Sequence, residues 1–114
     1  MSEAIEATRE TFDELVSSGT TLVDVWGADC RPCVALMPFV EKLAAGRADE
    51  LRVVKLEAPK ARRVCIRLQV HALPTFLLMR DGEEVDRLSA STISPAQLET
   101  WLDASLREIG EEVS

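Results

Sequence analysis

Thr21-Leu22-Val23-Asp24-Val25-Trp26-Gly27-Ala28-Asp29-Cys30-Arg31-Pro32-Cys33 sets two cysteines three residues apart directly after an apolar, β-branched run. The run lacks polar alternation, so it reads as a strand covered on both faces. Asp24 is its one charged member. Beyond the cysteines, Leu36, Phe39, Val40 and Leu43 recur at spacings of three and four, the stripe of an amphipathic helix reaching about Ala45. The cysteines therefore sit where a buried strand hands over to a helix. That place matters because thiol chemistry runs through the thiolate, and a helix N-terminus stabilises negative charge. A pair at this spacing can close into a small disulfide and open again.

Working outward, Pro38 falls inside that helix, where it removes a backbone hydrogen bond and bends the axis. Gly46 should stop it. Upstream, Thr11-Phe12-Asp13-Glu14 has the form of a capping box, opening a short helix with Phe12, Leu15 and Val16 on one face. Downstream, the pattern predicts a strand over Leu51–Leu56 and a helix over Ala58–Leu68 with a basic outer face. A strand over Leu73–Met79 follows, with Pro74 near its start. Asp81-Gly82 joins it to Glu83–Leu88 as a hairpin. Ser94-Pro95-Ala96-Gln97 combines an N-cap serine, a proline at the first helical position and a glutamine at the third. The helix it opens turns Leu98, Trp101, Leu102 and Leu106 inward. Gly110 to Ser114 reads as an acidic tail that frays. Before Thr11 the pattern leaves room for one more strand, with little to mark it. Early alternation of strand and helix implies parallel strands, and the late hairpin adds an antiparallel pair, so the class is α/β with a mixed sheet.

At 114 residues, a single domain over 1–114 is expected. The net charge of −7 argues against nucleic acid or an anionic membrane surface as a general partner. No basic-then-apolar leader opens the chain, and no window approaches the length of a membrane span. Three cysteines are too few and too unevenly placed for a disulfide framework, so a reducing cytoplasm is the expected compartment. A monomer is the expected state.

With these elements in place the chain resembles thioredoxins from Phe12 to Leu106. Val23-Asp24-Val25-Trp26, Cys30-x-Pro32-Cys33, Pro38, Lys55, Leu73-Pro74-Thr75 and Asp81-Gly82-Glu83 carry the resemblance. Three positions depart from it. Asp29 stands where the family usually has tryptophan, Arg31 replaces the usual glycine, and Ala90 stands where a late-strand glycine is common. The form Trp-Gly-x-x-Cys-Arg-Pro-Cys, followed by Ala35-Leu36-Met37-Pro38, is similar to non-standard thioredoxins of anaerobic bacteria. The resemblance implies the thioredoxin fold: a central mixed sheet of four to five strands flanked by about four helices.

It also implies an activity, thiol–disulfide exchange that reduces protein disulfides through a reversible Cys30–Cys33 dithiol. Cys30, at the helix start, is the candidate nucleophile, and Cys33, one turn further in, the candidate resolving thiol. The bland alternatives are a structural disulfide or half of a metal site. Asp24 in an apolar strand must either have a raised pKa or a partner, unless it reaches solvent at the strand end. In the family the matching aspartate lies behind the buried cysteine as a proton relay, and Lys55 matches the lysine near it. The resemblance places Trp26, Arg31, Pro32, Leu73, Pro74 and Ala90 on the substrate-docking surface. It also implies a cis peptide bond before Pro74, against the alternative of a trans proline at a strand start. Trp26 reads equally well as plain core, and Trp101 reads as core. Asp29 and Arg31 flank the nucleophile with opposite charges whose effects on it are of similar size.

Three features stand outside that set. Cys65 reads as a small buried hydrophobe, or alternatively as a regulatory thiol. His71, the one histidine, reads as a solvated loop residue close to the Leu73-Pro74 edge. The basic run Lys60–Arg67 reads as a solvated helix face, or a receptor for an acidic partner. The expected partners are a flavin-dependent, thioredoxin-reductase-type electron donor and disulfide-containing client proteins, with no bound cofactor. Two other functions compete. One is a zinc site from Cys30, Cys33, Cys65 and His71, whose spacing suits zinc poorly. The other is a redox-inert interaction module on the same scaffold.

Overall fold

The computed structural model describes residues 3–113. Its frame is a five-stranded sheet in the order β1-β3-β2-β4-β5. These strands are β1 (Ile5–Ala7), β2 (Thr20–Trp26), β3 (Arg52–Glu57), β4 (Thr75–Arg80) and β5 (Glu83–Ser89). β1 and β2 both run parallel to β3, while β4 runs antiparallel to β2 and to β5. The helices are α1 (Phe12–Leu15), α2 (Arg31–Gly46), α3 (Arg62–Arg67) and α4 (Pro95–Val113). The expected mixed sheet with four helices is what forms.

Strand alternation divides the core in two. Leu22, Val53, Phe76 and Leu78 point to one face, where Leu36, Val40 and Leu43 of α2 and Leu98 and Leu102 of α4 cover them. Val23, Val25, Val54, Leu56 and Leu77 point to the other, under Phe12, Val16, Val64 and Cys65. Both faces of β2 are thus buried, which is why its sequence runs apolar without alternation. Asp24 is odd in this setting. It shares the α2 face with Leu22, and Phe76 lies opposite it in register.

Several local expectations need correction. α1 opens without a capping box. Thr11 already has a helical backbone, and its Oγ1 accepts the Thr8 N–H at 2.9 Å and makes no bond to the N–H groups of the helix. The predicted helix over Ala58–Leu68 is split into a 3-10 turn at Ala58–Lys60 and α3. Pro59 disfavours the α conformation at Ala58, and Ala61 leaves helical geometry to bury its methyl. Gly46 ends α2 from inside, because the left-handed cap that would make it a stop is absent and Arg47 N–H closes the last turn on Leu43 C=O at 2.9 Å. α2 continues through Pro38. β1, barely marked in the sequence, is a three-residue edge strand with only Ala7 buried. α4 extends to Val113 across most of the tail expected to fray, with Ile109 buried against the core; Ser114 lies outside the described residues.

Ser94 and Gln97 form the capping box read from the sequence. Gln97 N–H donates to Ser94 Oγ at 3.1 Å, and Ser94 N–H donates to Gln97 Oε1 at 2.8 Å. Ser94→Ala should lower stability by about 1 kcal/mol, the usual worth of such a cap. Leu98→Ala, four residues on and fully buried, should cost about 3 kcal/mol. Urea unfolding of both variants checks the order, and no loss in Ser94→Ala would show that the cap does not anchor α4.

Candidate active site

β2 ends at Trp26 and α2 begins at Arg31, so four residues turn the chain from sheet to helix. Gly27 opens this turn, and its C=O accepts the Cys30 N–H at 3.0 Å. A Cβ at Gly27 would stand 3.1 Å from Leu73 Cδ1, so glycine there lets the loop carrying Leu73 close against the cysteine loop. Cys30 is the N-cap of α2. Its backbone is extended, and its Sγ accepts the Cys33 N–H at 3.2 Å. Pro32 occupies the first turn, where its missing N–H costs nothing.

The two cysteines are joined by a disulfide, with Cα atoms 5.2 Å apart. Their environments differ. Cys30 is partly exposed, whereas Cys33 is 1% exposed. Only one sulfur of the pair is therefore open to another molecule, and it is the one bonded by a backbone N–H at a helix start. This is the arrangement that stabilises a thiolate once the bridge is reduced.

Asp24 lies on the sheet face that α2 covers, 1% exposed, and its Oδ2 has no hydrogen-bond partner among the described residues. Burial is the main reason its pKa is pushed up to about 7. The Lys55 charge opposes that rise, and Glu6 and Glu41 add to it. Lys55 is the β3 residue in register with Asp24, as expected, yet its Nζ donates to Glu41 Oε2 of α2 at 3.0 Å. Glu6 of β1 is in register with Lys55 and accepts the Trp26 Nε1–H at 3.4 Å. Asp24, Lys55, Glu6, Trp26 and Glu41 thus form one polar cluster on an otherwise apolar face. Glu41 and Glu6 escaped the sequence reading. Glu41 falls two turns along α2 from Cys33, hence on the same side of the helix, and that periodicity was the available signal.

The Leu73–Pro74 peptide bond is cis, and Pro74 is buried. Thr75 braces the bend: its Oγ1 donates to Ala72 C=O at 2.6 Å and lies 2.9 Å from Ser89 Oγ. Arg87 holds the approach to it, donating to Leu68 C=O at 2.6 Å and Gln69 C=O at 2.9 Å, with Gln69 at a left-handed φ of 57°. Arg31 and Pro32 line a cavity of about 390 Å³ with Ala35, Leu36, Thr92, Ile93 and Pro95. Ala90 is exposed just past β5 and is not part of that lining. Trp26 lines a separate cavity on the β1 side with Glu6, Glu57 and Lys60. A larger cavity, about 760 Å³, lies at the other end of the sheet beside Thr20 and Arg52, away from the cysteines.

The remaining candidates fall outside the site. Cys65 is buried, and burial pushes its thiol pKa up, which fits a core residue better than a reactive one. His71 is exposed. Trp101 is half-buried against the α4 core. Lys60 pairs with Glu57 at 3.4 Å and Arg67 with Asp13 at 2.6 Å, so part of the basic run is met within the chain. Among the described residues, no three His, Cys, Asp or Glu side chains gather as metal ligands, so the zinc set with Cys65 and His71 is not assembled.

The thioredoxin family model matches residues 3–104. A thioredoxin of Acetoanaerobium sticklandii is 36% identical over 99 residues, covering 85% of this chain and 94% of its own. A thioredoxin of Staphylococcus saprophyticus is 31% identical over 84 residues, covering 74% and 81%. Thioredoxin Y1, chloroplastic, of Arabidopsis thaliana is 33% identical over 108 residues, covering 90% of this chain and 62% of its own.

Asp24 gives the oxidised protein a pH-dependent stability of defined sign. Between its ordinary value of 3.8 and about 7, the folded chain keeps a proton that the unfolded chain has lost. Its contribution is complete below about pH 3.8 and is lost as pH rises through 7, a change of about 4 kcal/mol. Asp24→Asn should therefore be the more stable protein at pH 8 and gain little at pH 4. Denaturant midpoints at the two pH values check this; an equal effect at both would show that Asp24 is not buried in charged form above pH 7.

Proposed function

The chain belongs to the thioredoxin family and is a thiol–disulfide oxidoreductase acting on protein disulfides, and we propose that Cys30 attacks while Cys33 resolves. The observation that carries this assignment is the asymmetry of the pair: a partly exposed sulfur at the helix cap and a buried one a turn inside. In the reduced protein the Cys30 thiolate attacks one sulfur of a client disulfide, and the client's other sulfur leaves as a thiolate. Cys33 then loses its proton and attacks Cys30 Sγ. The Cys30–client bond breaks, the second client sulfur departs, and the Cys30–Cys33 bond forms. Two electrons have passed from the dithiol to the client.

Asp24 is the acceptor for the Cys33 proton, directly or through a water, with Lys55 as the nearby cation. A carboxyl group with a pKa near 7 can accept and return a proton at neutral pH, as this step requires. The docking surface centres on Arg31, Pro32, Leu73 and Pro74; Trp26 lines the β1-side cavity instead, and Ala90 enters the assignment by family position alone. Its support is the cavity under Arg31 and Pro32 and the contact of Leu73 with the Gly27 turn. An arginine and an aspartate beside the nucleophile make this surface more polar than is usual in the family.

Family members take disulfide-bearing clients and a reductase as partners. For this chain a flavin-dependent reductase is the proposed donor, and no bound cofactor is needed because the dithiol is itself the redox group. We place the chain in the cytoplasm as a single-domain monomer, where the surroundings keep such a dithiol reduced. No helix among the described residues is long and apolar enough to cross a membrane.

Cys33→Ser should accumulate a disulfide-linked adduct with client protein at Cys30, stable until thiol is added. Cys30→Ser should form none and lose disulfide reduction. Non-reducing electrophoresis after mixing each variant with an oxidised client distinguishes them, and adducts on Cys33 in the second variant would reverse the assignment.

A further inference from the structure

Glu41 has both carboxylate oxygens engaged across three elements. Oε2 accepts from Lys55 Nζ of β3 at 3.0 Å, and Oε1 accepts the Ala4 N–H just before β1 at 3.2 Å. The Lys55 side chain is largely covered, at 18% exposure, while Glu41 retains 43%. Lys55 is in register beside Asp24, the natural place for a cation that would neutralise it. Instead, its ammonium is bonded to Glu41, and Asp24 Oδ2 remains buried without a partner. The charged groups acting on Asp24 are Lys55 from β3, Glu6 from β1 and Glu41 from α2, while β4 places Phe76 opposite it.

We propose that Glu41 is a positioning residue for the redox site, holding the Lys55 ammonium so that the buried Asp24 carboxyl is left without a cationic partner. The inference rests on the reading of Asp24 as the proton acceptor for Cys33. Without Glu41, two changes act in the same direction. A negative charge near Asp24 disappears, and Lys55 loses its partner and turns to the remaining unpaired carboxylate. Direct pairing with a cation favours the ionised carboxylate. Asp24 would then stay charged at neutral pH, a poorer base for the Cys33 thiol and an equally poor donor on the return path.

The Asp24 carboxyl-carbon resonance, followed against pH in the oxidised protein, tests this in the parent, Glu41→Gln, Lys55→Met and the double variant. Glu41→Gln should lower the Asp24 midpoint by about 1 pH unit, at the low end of what a close cation produces. Lys55→Met should raise it. In the Lys55→Met background, Glu41→Gln should move it by less than half as much, because no ammonium is left to redirect. An unmoved midpoint in Glu41→Gln, or the same movement in both backgrounds, would overturn the proposal. Glutamine can still accept the Ala4 N–H, and Lys55→Met probes the pair from its other side should either variant fold poorly. The pH profile of adduct resolution, measured in parallel, separates the two ideas. A lowered Asp24 midpoint with an unshifted profile upholds the role of Glu41 and removes Asp24 as the proton acceptor.

Discussion

The site depends on one contact: the hydrogen bond from the Cys33 N–H to Cys30 Sγ at the first turn of α2. A helix start leaves N–H groups without partners, and here a sulfur takes one of them. The same residue therefore caps the helix and presents the exposed thiol. Its placement follows from the sheet. β2 is central and buried on both faces, so its end is a rigid platform, and the turn from Gly27 to Cys30 has little freedom. The second sulfur then falls one turn inside the helix, against the core. Exposure of one thiol and burial of the other are two consequences of a single strand-to-helix turn.

The polar cluster around Asp24 on the α2 face of the sheet is the other unusual feature. Apolar packing would stabilise the α2 face of the sheet better than Asp24 does, since a buried carboxylate without a partner is costly. The cost is confined by protonation, which removes the charge at the price of a pKa near 7. Lys55 could have offset it by pairing directly, but Glu41 holds Lys55. Stability and chemistry pull in opposite directions at this position.

The strand-to-helix turn was legible because its signals are local: an apolar run, two cysteines at fixed spacing and a proline at the first helical turn. The hairpin at Asp81-Gly82 and the Ser94–Gln97 cap are local in the same way, and both form. What escaped was set by tertiary partners. β1 exists because β3 offers it an edge, and three residues with a glutamate in the middle hide that. Thr11 has the residue type of a cap, yet Thr8 takes its hydroxyl. The family resemblance set Lys55 beside Asp24, whereas the capture of Lys55 by Glu41 joins residues on different elements and leaves only a faint helical periodicity. Ala90 matched a family position by order along the chain, but Thr92 and Ile93 are the residues of that loop that close the cavity beside Arg31.

The central claim is that one cysteine of the three is both reachable and held at a helix start. Reduced protein, treated at neutral pH with less than one equivalent of an alkylating reagent and mapped by mass spectrometry, tests it without any partner protein. The account predicts that label accumulates first on Cys30, with Cys33 and Cys65 following only when reagent is in excess. Equal or earlier labelling of Cys33 or Cys65 would contradict it.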